Sequence, residues 1–245
     1  MRNFKLTVCY DGTRYSGWQR QGNTGTTIQC KLETLLTRLL NQPVELAASG
    51  RTDAGVHARA QVCSFKADTG LSCPELLGLI RQYLPEDIGA ISLSEAPLGF
   101  HARLNCREKT YIYRIWNSAE PNVFNRRYML SVPEQLDTEA MRQAAEALLG
   151  RHDFTSFCAN KRMKKSAVRE LRHVDFIRNG SELQIAFTGD GFLYNMVRIL
   201  VGTLLQVGLG QCSAGDMEAI LAAKDRSLAG PAAPAHGLIL WEVRY

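Results

Sequence analysis

The chain has 245 residues, of which 45% are hydrophobic and 22% are charged. This composition is close to that of an average globular protein, so it excludes a disordered chain, a fibrous repeat and a low-complexity tail. Lys and Arg outnumber Asp and Glu by 29 to 24, which leaves a net charge of +5. So small an excess permits an anionic partner without identifying one. The length fits one large domain or two small ones.

The first hundred residues predict the element order β-α-β-β-α-β. Apolar periodicity and turn residues place strands at residues 4–10, 44–48, 56–65 and 88–93, and helices at residues 27–40 and 74–83. This order is typical of the split βαβ, ferredoxin-like fold. In such a fold the helices cover one face of an antiparallel sheet and leave the other face free to bind a ligand.

The second half predicts a similar arrangement with larger insertions. Strands are expected at residues 110–117, 171–177, 183–188 and 238–243, and helices at residues 138–149, 193–207 and 213–224, the last with Ser213 as its N-cap. We therefore predict an α+β protein with two ferredoxin-like halves, residues 1–105 and 106–245. The halves are expected to join near residues 97–108 into an extended antiparallel sheet, with helices on one face and a central active-site cleft.

Cysteine usage and hydropathy indicate the compartment. The seven cysteines are odd in number and form no C-x-x-C pair, and the sequence opens with MRNFKLTVCYD instead of an apolar signal-peptide core. The longest apolar stretch, residues 193–209, contains Asn195 and Arg198, so it does not predict a membrane span. These features predict a cytoplasmic protein that does not associate with a membrane.

Two segments hold a large share of the positive charge. The first, residues 103–127, has two acidic residues, several aromatic residues including Phe124, and six basic ones: Arg103, Arg107, Lys109, Arg114, Arg126 and Arg127. The second, residues 151–172, also has two acidic residues, and its seven basic ones are Arg151, Lys161, Arg162, Lys164, Lys165, Arg169 and Arg172. Cations interleaved with aromatic residues are typical of a nucleic-acid surface. The alternative is a solvated loop and a strand edge protected by charge.

Several catalytic classes lack their motifs. No Walker loop is present, and both G-x-G pairs lack the third glycine of a dinucleotide fingerprint. The H-x-E and P-C-x-x-C elements of zinc base deaminases are absent, the five histidines show no metal-ligand spacing, and no G-x-S-x-G elbow occurs. The chemistry that remains is that of carboxylates.

The sharpest local feature is SGRTDAGVHA at residues 49–58. Gly50 and Gly55 permit a tight turn between two predicted strands, which would display Arg51 and Asp53 at its tip. An aspartate on a turn often caps its own backbone, so a purely structural Asx-turn is the alternative for Asp53.

A second unusual feature is Arg198, which lies in the middle of a predicted helix that is apolar nearly all round. Such a helix should be buried, and a buried charge is costly unless it is paired. Arg198 is therefore expected to meet a carboxylate. Asp53 is one candidate, and Asp190 and Glu242 are alternatives that would make the pair structural.

Five motifs together resemble the tRNA pseudouridine synthase A family. They are DGTRYSGWQRQ (11–21), GRTDAGVHA (50–58), FHARLNCREKTYIYRI (100–115), HDFTSF (152–157) and NMVRILVGTLLQVG (195–208). They follow the family's order and cover nearly the whole chain. The resemblance implies a homodimer that isomerises uridine to pseudouridine at positions 38, 39 and 40 of the tRNA anticodon stem-loop, without a metal or an organic cofactor.

The resemblance also implies residue roles. Asp53 would be the catalytic aspartate, acting on a flipped-out uridine either by attack at C1′ or by deprotonation of the sugar. Tyr111, in a K-x-Y pattern with Lys109, would pack on the target base, and Arg198 would pair with Asp53. A core position is the alternative for Tyr111. Arg51 is assigned, as a hypothesis, to the space that the flipped base leaves.

The predicted RNA-binding surface consists of Arg103, Lys109, Arg126, Arg127, Lys161, Arg162, Lys164 and Lys165. Two other functional classes stay open. An RNA-binding module without catalysis would need neither Asp53 on a tight turn nor Arg198 inside an apolar helix. An enzyme of a small anionic metabolite would bind its substrate with little dependence on competing tRNA.

Overall fold

The computed structural model describes residues 1–160 and 165–245. Within these ranges there are ten strands: β1 (Arg2–Tyr10), β2 (Ala47–Ala48), β3 (His57–Ala67), β4 (Ile88–Ala96), β5 (Glu108–Trp116), β6 (Leu130–Ser131), β7 (Gly150–Asp153), β8 (Val168–Asn179), β9 (Glu182–Gly189) and β10 (Leu238–Arg244). The α-helices of the same ranges are α1 (Ile28–Leu40), α2 (Cys73–Tyr83), α3 (Thr138–Glu146), α4 (Met196–Gly208) and α5 (Asp216–Ala223). The predicted α+β class, dominated by antiparallel strand pairs, is confirmed.

The chain forms two compact units. One comprises Met1–Arg107 together with Ile239–Tyr245, and the other comprises Glu108–Leu238. Across the described part of the chain, none of the helices has both the length and the apolar character that a bilayer crossing requires.

The N-terminal unit has the strand order of a split βαβ fold. β1 pairs antiparallel with both β3 and β4, and β2 pairs antiparallel with the far end of β3, at Ser64. β10 pairs parallel with the beginning of β3, at His57. The predicted β-α-β-β-α-β order is therefore confirmed, and β3 leads directly out of the segment that carries Asp53.

The second predicted strand, residues 44–48, is shorter than expected. The N–H of Val44 donates to the hydroxyl of Thr37 at 3.2 Å, and the N–H of Leu46 donates to the carboxylate of Glu33 at 3.0 Å. Because side chains of α1 satisfy these backbone donors, only Ala47–Ala48 remains to pair with β3.

The helices of this unit begin at the signals that the sequence carries. The side chain of Thr27 accepts from the N–H of Cys30 at the start of α1, and Ser72 and Glu75 form a reciprocal capping box at the start of α2. The apolar stripes of both helices are buried. In the sheet of this unit, Phe4 of β1 stacks on its cross-strand partner Phe65 of β3 with ring centroids 5.1 Å apart.

The C-terminal unit contains an antiparallel sheet in the order β5-β9-β8-β7, with β6 parallel to β5. α4 is buried over ten of its thirteen residues and contacts α3. The predicted start of this helix at residue 193 is wrong, because Asn195 adopts φ +59° and the helix begins after it. The predicted N-cap at Ser213 is also wrong: α5 begins at Asp216, whose carboxylate accepts from the N–H of Ser213.

Candidate functional site

Asp53 is the first residue of a β-turn, residues 53–56, in the segment between β2 and β3. We call residues 49–56 the Asp53 turn. The N–H of Val56 donates to the backbone carbonyl of Asp53 at 3.1 Å, and Gly55 adopts φ +79°, which favours glycine. The side chain of Asp53 is half-buried, and that of Arg51 is exposed. The predicted turn is confirmed, while the chemical role of Asp53 stays a prediction.

The base of this turn is held by buried polar side chains. The hydroxyl of Ser49 donates to Gln61 at 2.6 Å, and the amide of Gln61 donates to the carbonyl of Gly50 at 2.9 Å. The hydroxyls of Tyr10 and Thr52 lie 2.8 Å apart and share a buried hydrogen bond. Burial raises the pKa of Tyr10, so its phenol stays neutral.

The motif after β1 wraps the Asp53 turn from one side. We call residues 11–18 the clasp segment. The N–H of Trp18 donates to the carbonyl of Thr52 at 3.0 Å, and the N–H of Gly55 donates to the carbonyl of Tyr15 at 3.3 Å. The clasp segment and the turn therefore exchange backbone hydrogen bonds in both directions.

Two glycines of the clasp segment explain why its motif reads DGTRYSGW. A Cβ at Gly12 would lie 2.0 Å from the carbonyl oxygen of Val56, and a Cβ at Gly17 would lie 2.7 Å from that of Thr52. Gly17 also adopts φ +88°. Both positions exclude a side chain because the two backbones touch there.

Asp87 anchors the clasp segment through hydrogen bonds with three of its residues. Its carboxylate accepts from the hydroxyl of Tyr15 at 2.6 Å and from the guanidinium of Arg14 at 2.7 Å, and its carbonyl accepts from the N–H of Asp11 at 3.0 Å. Burial alone would raise the pKa of Asp87, but the hydrogen bonds from Tyr15 and Arg14 hold that pKa below its usual range. Asp87 is therefore ionised at neutral pH. No sequence motif had singled out this residue.

In the C-terminal unit, Tyr111 lies on β5 with only 7% of its surface exposed. Its ring meets the ring of Phe192 edge to face, with centroids 5.1 Å apart. Tyr113 and Ile115 follow on the same face of β5 and are fully buried. The surroundings of Tyr111 are thus those of a core residue, which is the alternative that the sequence left open. The contact of Tyr111 with a base stays a prediction.

Arg198 lies on α4 and is half-buried, not fully buried as expected. Its Nε donates to the carbonyl of Ala233 at 2.6 Å, and its Nη1 donates to the side chain of Asn195 at 2.9 Å. The N–H of Ala233 in turn donates to the carbonyl of Arg198 at 2.9 Å. Two neutral acceptors and incomplete burial thus reduce the need of Arg198 for a carboxylate partner.

The two alternative partners of Arg198 have other contacts. Asp190 accepts from the backbone N–H of Glu170 at 3.0 Å, and Glu242 forms an ion pair with Arg244 at 3.0 Å. The pairing of Arg198 with Asp53 stays a prediction.

The predicted cationic surface is largely exposed where it is described. Lys109 is half-buried on β5, whereas four other members are exposed: Arg103, Arg126, Arg127 and Lys165. The remaining members, Lys161, Arg162 and Lys164, lie outside the described residues. Among the aromatic residues of the first basic segment, Tyr111 and Tyr113 are buried, and Phe124 is 94% exposed.

Within the described residues, no cluster of three or more His, Cys, Asp and Glu side chains is arranged to hold a metal ion.

Comparisons with known proteins agree with the motifs. A family profile described as tRNA pseudouridine synthase matches residues 6–105 and 144–245. The tRNA pseudouridine synthase A 2 of Bacillus cereus (strain ZK / E33L) is 43% identical over 245 residues, which is 100% of both chains. The tRNA pseudouridine synthase A of Geobacillus kaustophilus (strain HTA426) is 44% identical over 245 residues, which is 100% of this chain and 95% of that protein.

One solved structure, the archaeal box H/ACA sRNP Nop10-Cbf5 complex, is 12% identical, and the alignment covers 82% of this chain and 43% of the chain in that complex. The TM-score is 0.36, which is too low to support an argument.

The full-length relatives and the profile define an isomerase that acts on uridine in tRNA. The chain belongs to the tRNA pseudouridine synthase family. The resemblance drawn from the five motifs is confirmed.

Proposed function

We propose that this protein converts uridine to pseudouridine at positions 38, 39 and 40 of the tRNA anticodon stem-loop, with Asp53 as the catalytic group. The observation that supports Asp53 is its place on a turn clamped by backbone contacts at Gly12 and Gly17. Catalytic groups act best when a rigid scaffold holds them, because small displacements from productive geometry are costly.

The reaction calls for a carboxylate beside the ribose. The C1′–N1 bond breaks, the uracil turns and a bond forms between C1′ and C5. C5 then loses its proton and N1 gains one, so the product is an isomer of uridine. A carboxylate can begin this sequence by attacking C1′ or by removing a proton from the sugar, and the same group can accept the C5 proton at the end. Because a stacked and paired uridine hides C1′ and C5, the nucleotide must first flip out of the stem.

Three further residues have proposed roles in this reaction. Tyr111 packs its ring against the target base, and Arg198 contributes a cation to the binding of the substrate. Arg51, exposed two residues before Asp53, occupies the space in the stem that the flipped nucleotide leaves.

The direct test is to incubate purified protein with unmodified tRNA transcripts and to map pseudouridine by sequencing. We expect modification at positions 38 to 40 and nowhere else. Modification at other positions would refute the assigned site. A protein that binds tRNA without modifying it would instead support a binding module, and substrate binding that is insensitive to competing tRNA would support an enzyme of a small metabolite.

The second basic segment yields a prediction about binding. Changing Lys161, Arg162, Lys164 and Lys165 to Glu should weaken tRNA binding and flatten its salt dependence, because each lost phosphate contact lowers the slope of log K against log salt by about 0.9. Filter binding at several salt concentrations measures the slope. The control is Arg142→Glu, a charge reversal on α3, where Arg142 pairs with Glu139. An unchanged slope in the fourfold variant would remove this segment from the interface.

Phe124 yields a separate prediction. It is 94% exposed and lies close in sequence to the exposed Arg126 and Arg127. An exposed aromatic ring among cations suits stacking on an unpaired base, which is worth about 1 to 3 kcal/mol. Phe124→Ala should therefore raise the Kd for tRNA roughly 5- to 150-fold. Phe124→Leu keeps an apolar side chain but loses the aromatic face, so it should bind tRNA nearly as weakly as Phe124→Ala. Wild-type affinity in both variants would show that Phe124 does not stack on RNA.

The family resemblance further supports a cytoplasmic homodimer. Light scattering after size exclusion should give a solution mass twice that of the chain, and a monomer mass at micromolar concentration would refute the dimer.

A further inference from the structure

His57 is a buried histidine for which the chemistry proposed above has no use. It is the first residue of β3, four residues after Asp53, and only 4% of it is exposed. Its Nδ1 accepts a hydrogen bond from the backbone N–H of Gly12 at 3.0 Å. The same nitrogen lies 3.1 Å from a carboxylate oxygen of Asp11. One ring nitrogen thus faces the beginning of the clasp segment.

The hydrogen bond lies where the clasp segment and the Asp53 turn come closest. Gly12 is buried, and a Cβ on it would lie 2.0 Å from the carbonyl oxygen of Val56, the residue that precedes His57. A buried N–H needs an acceptor, and at this point of contact the imidazole of His57 supplies one. Loss of that acceptor would favour separation of Gly12 from the turn.

Asp11 fixes the peptide that follows the one carrying this N–H. Its carboxylate accepts from the backbone N–H of Thr13 at 2.9 Å and from the hydroxyl of Thr13 at 2.5 Å, so it caps the 3₁₀ turn Gly12–Arg14. This cap holds the backbone on the C-terminal side of Gly12. The far end of the clasp segment is held by Thr52, whose carbonyl accepts from Trp18, and Asp87 holds its beginning and middle through Asp11 and Tyr15.

We propose that His57 is a positioning residue that clamps the clasp segment on the Asp53 turn and so aims the carboxylate of Asp53 at the ribose. It acts through the backbone of Gly12 and Val56, with no contact to the substrate. The inference rests on the proposed role of Asp53. According to this proposal, efficient pseudouridine formation requires that Nδ1 of His57 accept the hydrogen bond from Gly12.

The side-chain chemistry of position 57 offers a matched pair of variants. Asn places its oxygen close to where Nδ1 of the imidazole lies, so His57→Asn keeps an acceptor for Gly12. Leu has a similar volume but accepts no hydrogen bond, so His57→Leu leaves the N–H of Gly12 without this partner. His173→Leu, on an exposed part of β8, controls for the loss of an imidazole elsewhere.

The experiment measures kcat and KM for pseudouridine formation, the Kd for tRNA and the melting temperature of these variants. For His57→Leu we expect kcat to fall roughly 10- to 100-fold, because a displacement of about 1 Å can cost about 100-fold. KM and Kd should stay within about twofold of wild type, since His57 does not touch RNA in this proposal. His57→Asn should recover most of kcat, and His173→Leu should match wild type.

Hydrogen exchange keeps the proposal testable where His57→Leu lowers stability. Peptides that cover residues 11–18 and 49–57 should exchange faster in His57→Leu at a temperature well below its melting point, and peptides of the C-terminal unit should not. Faster exchange throughout the chain, with no recovery of kcat in His57→Asn, would make His57 merely structural and overturn the proposal.

Asp53→Asn, assayed alongside, separates this inference from the proposed function. An inactive Asp53→Asn together with wild-type kcat in His57→Leu would overturn the positioning role alone. Wild-type turnover in Asp53→Asn would overturn the role of Asp53 and, with it, the positioning role of His57.

Discussion

Replacing Asp53 with Asn should abolish pseudouridine formation while tRNA binding is retained. The change keeps the size of the side chain but removes the carboxylate that would attack C1′ or transfer a proton. We expect turnover to fall by about 10³- to 10⁴-fold, the upper part of the range of about 10² to 10⁴ that one acid–base group contributes. Single-turnover assays with saturating enzyme measure the chemical step, and filter binding measures the Kd for tRNA.

A second variant and a control separate catalysis from turn structure. Asn can still cap a turn, whereas Ala cannot, so Asp53→Ala tests the Asx-turn alternative. Asp68→Asn, at an exposed position of the same unit, should have wild-type turnover. If Asp53→Asn kept its activity and Asp53→Ala lost both activity and stability, Asp53 would be a structural residue and the catalytic carboxylate would have to be sought elsewhere.

Replacing Gly202 with Ala should strongly destabilise the protein. Gly202 lies on α4, where the segment that contains Pro231 and Ala233 crosses the helix, and a Cβ there would lie 1.7 Å from the carbonyl oxygen of Pro231. The new methyl group must push this backbone away and break the hydrogen bonds between Ala233 and Arg198. Overpacking of this kind costs about 3 kcal/mol. Thermal unfolding should show a melting temperature roughly 6 to 12 °C lower.

The same substitution in another helix should have the opposite effect. Gly78 lies within α2 and is exposed, and a Cβ there would meet no atom within 4 Å. Gly78→Ala should therefore stabilise the protein by about 0.5 to 1 kcal/mol, because it reduces the freedom of the unfolded chain. A melting temperature that changes equally in both variants would mean that helix propensity, and not contact with Pro231, governs Gly202.

Signals that act within a few residues predicted the local structure well. α2 begins where Ser72 and Glu75 form a capping box, and Gly55 adopts the positive φ that the turn before β3 requires. These features are readable because the interacting atoms are near neighbours in the chain. The start of α4 was misplaced for the complementary reason: an apolar pattern continues through residues 193–195, but the positive φ of Asn195 excludes a regular helix there.

The candidate site is less readable because its contacts join distant residues. Asp87 supports the clasp segment through Arg14 and Tyr15, more than seventy residues away, and His57 accepts from Gly12, which is 45 residues away. Neither Asp87 nor the role of His57 follows from any periodicity. Arg198 illustrates the limit of an energetic argument from sequence, since neutral acceptors at Ala233 and Asn195 meet part of its need for partners.

The sequence by itself determined the family, the α+β class, the order of the elements and the turn that presents Asp53, because motifs, periodicity and capping are written in contiguous residues. Tertiary structure alone decided which glycines are irreplaceable and which side chains support that turn. The physical reason is that a close approach of two backbones, as at Gly12 and Gly202, exists only after segments far apart in the chain have packed together. A modest net charge and an average composition contained neither kind of information.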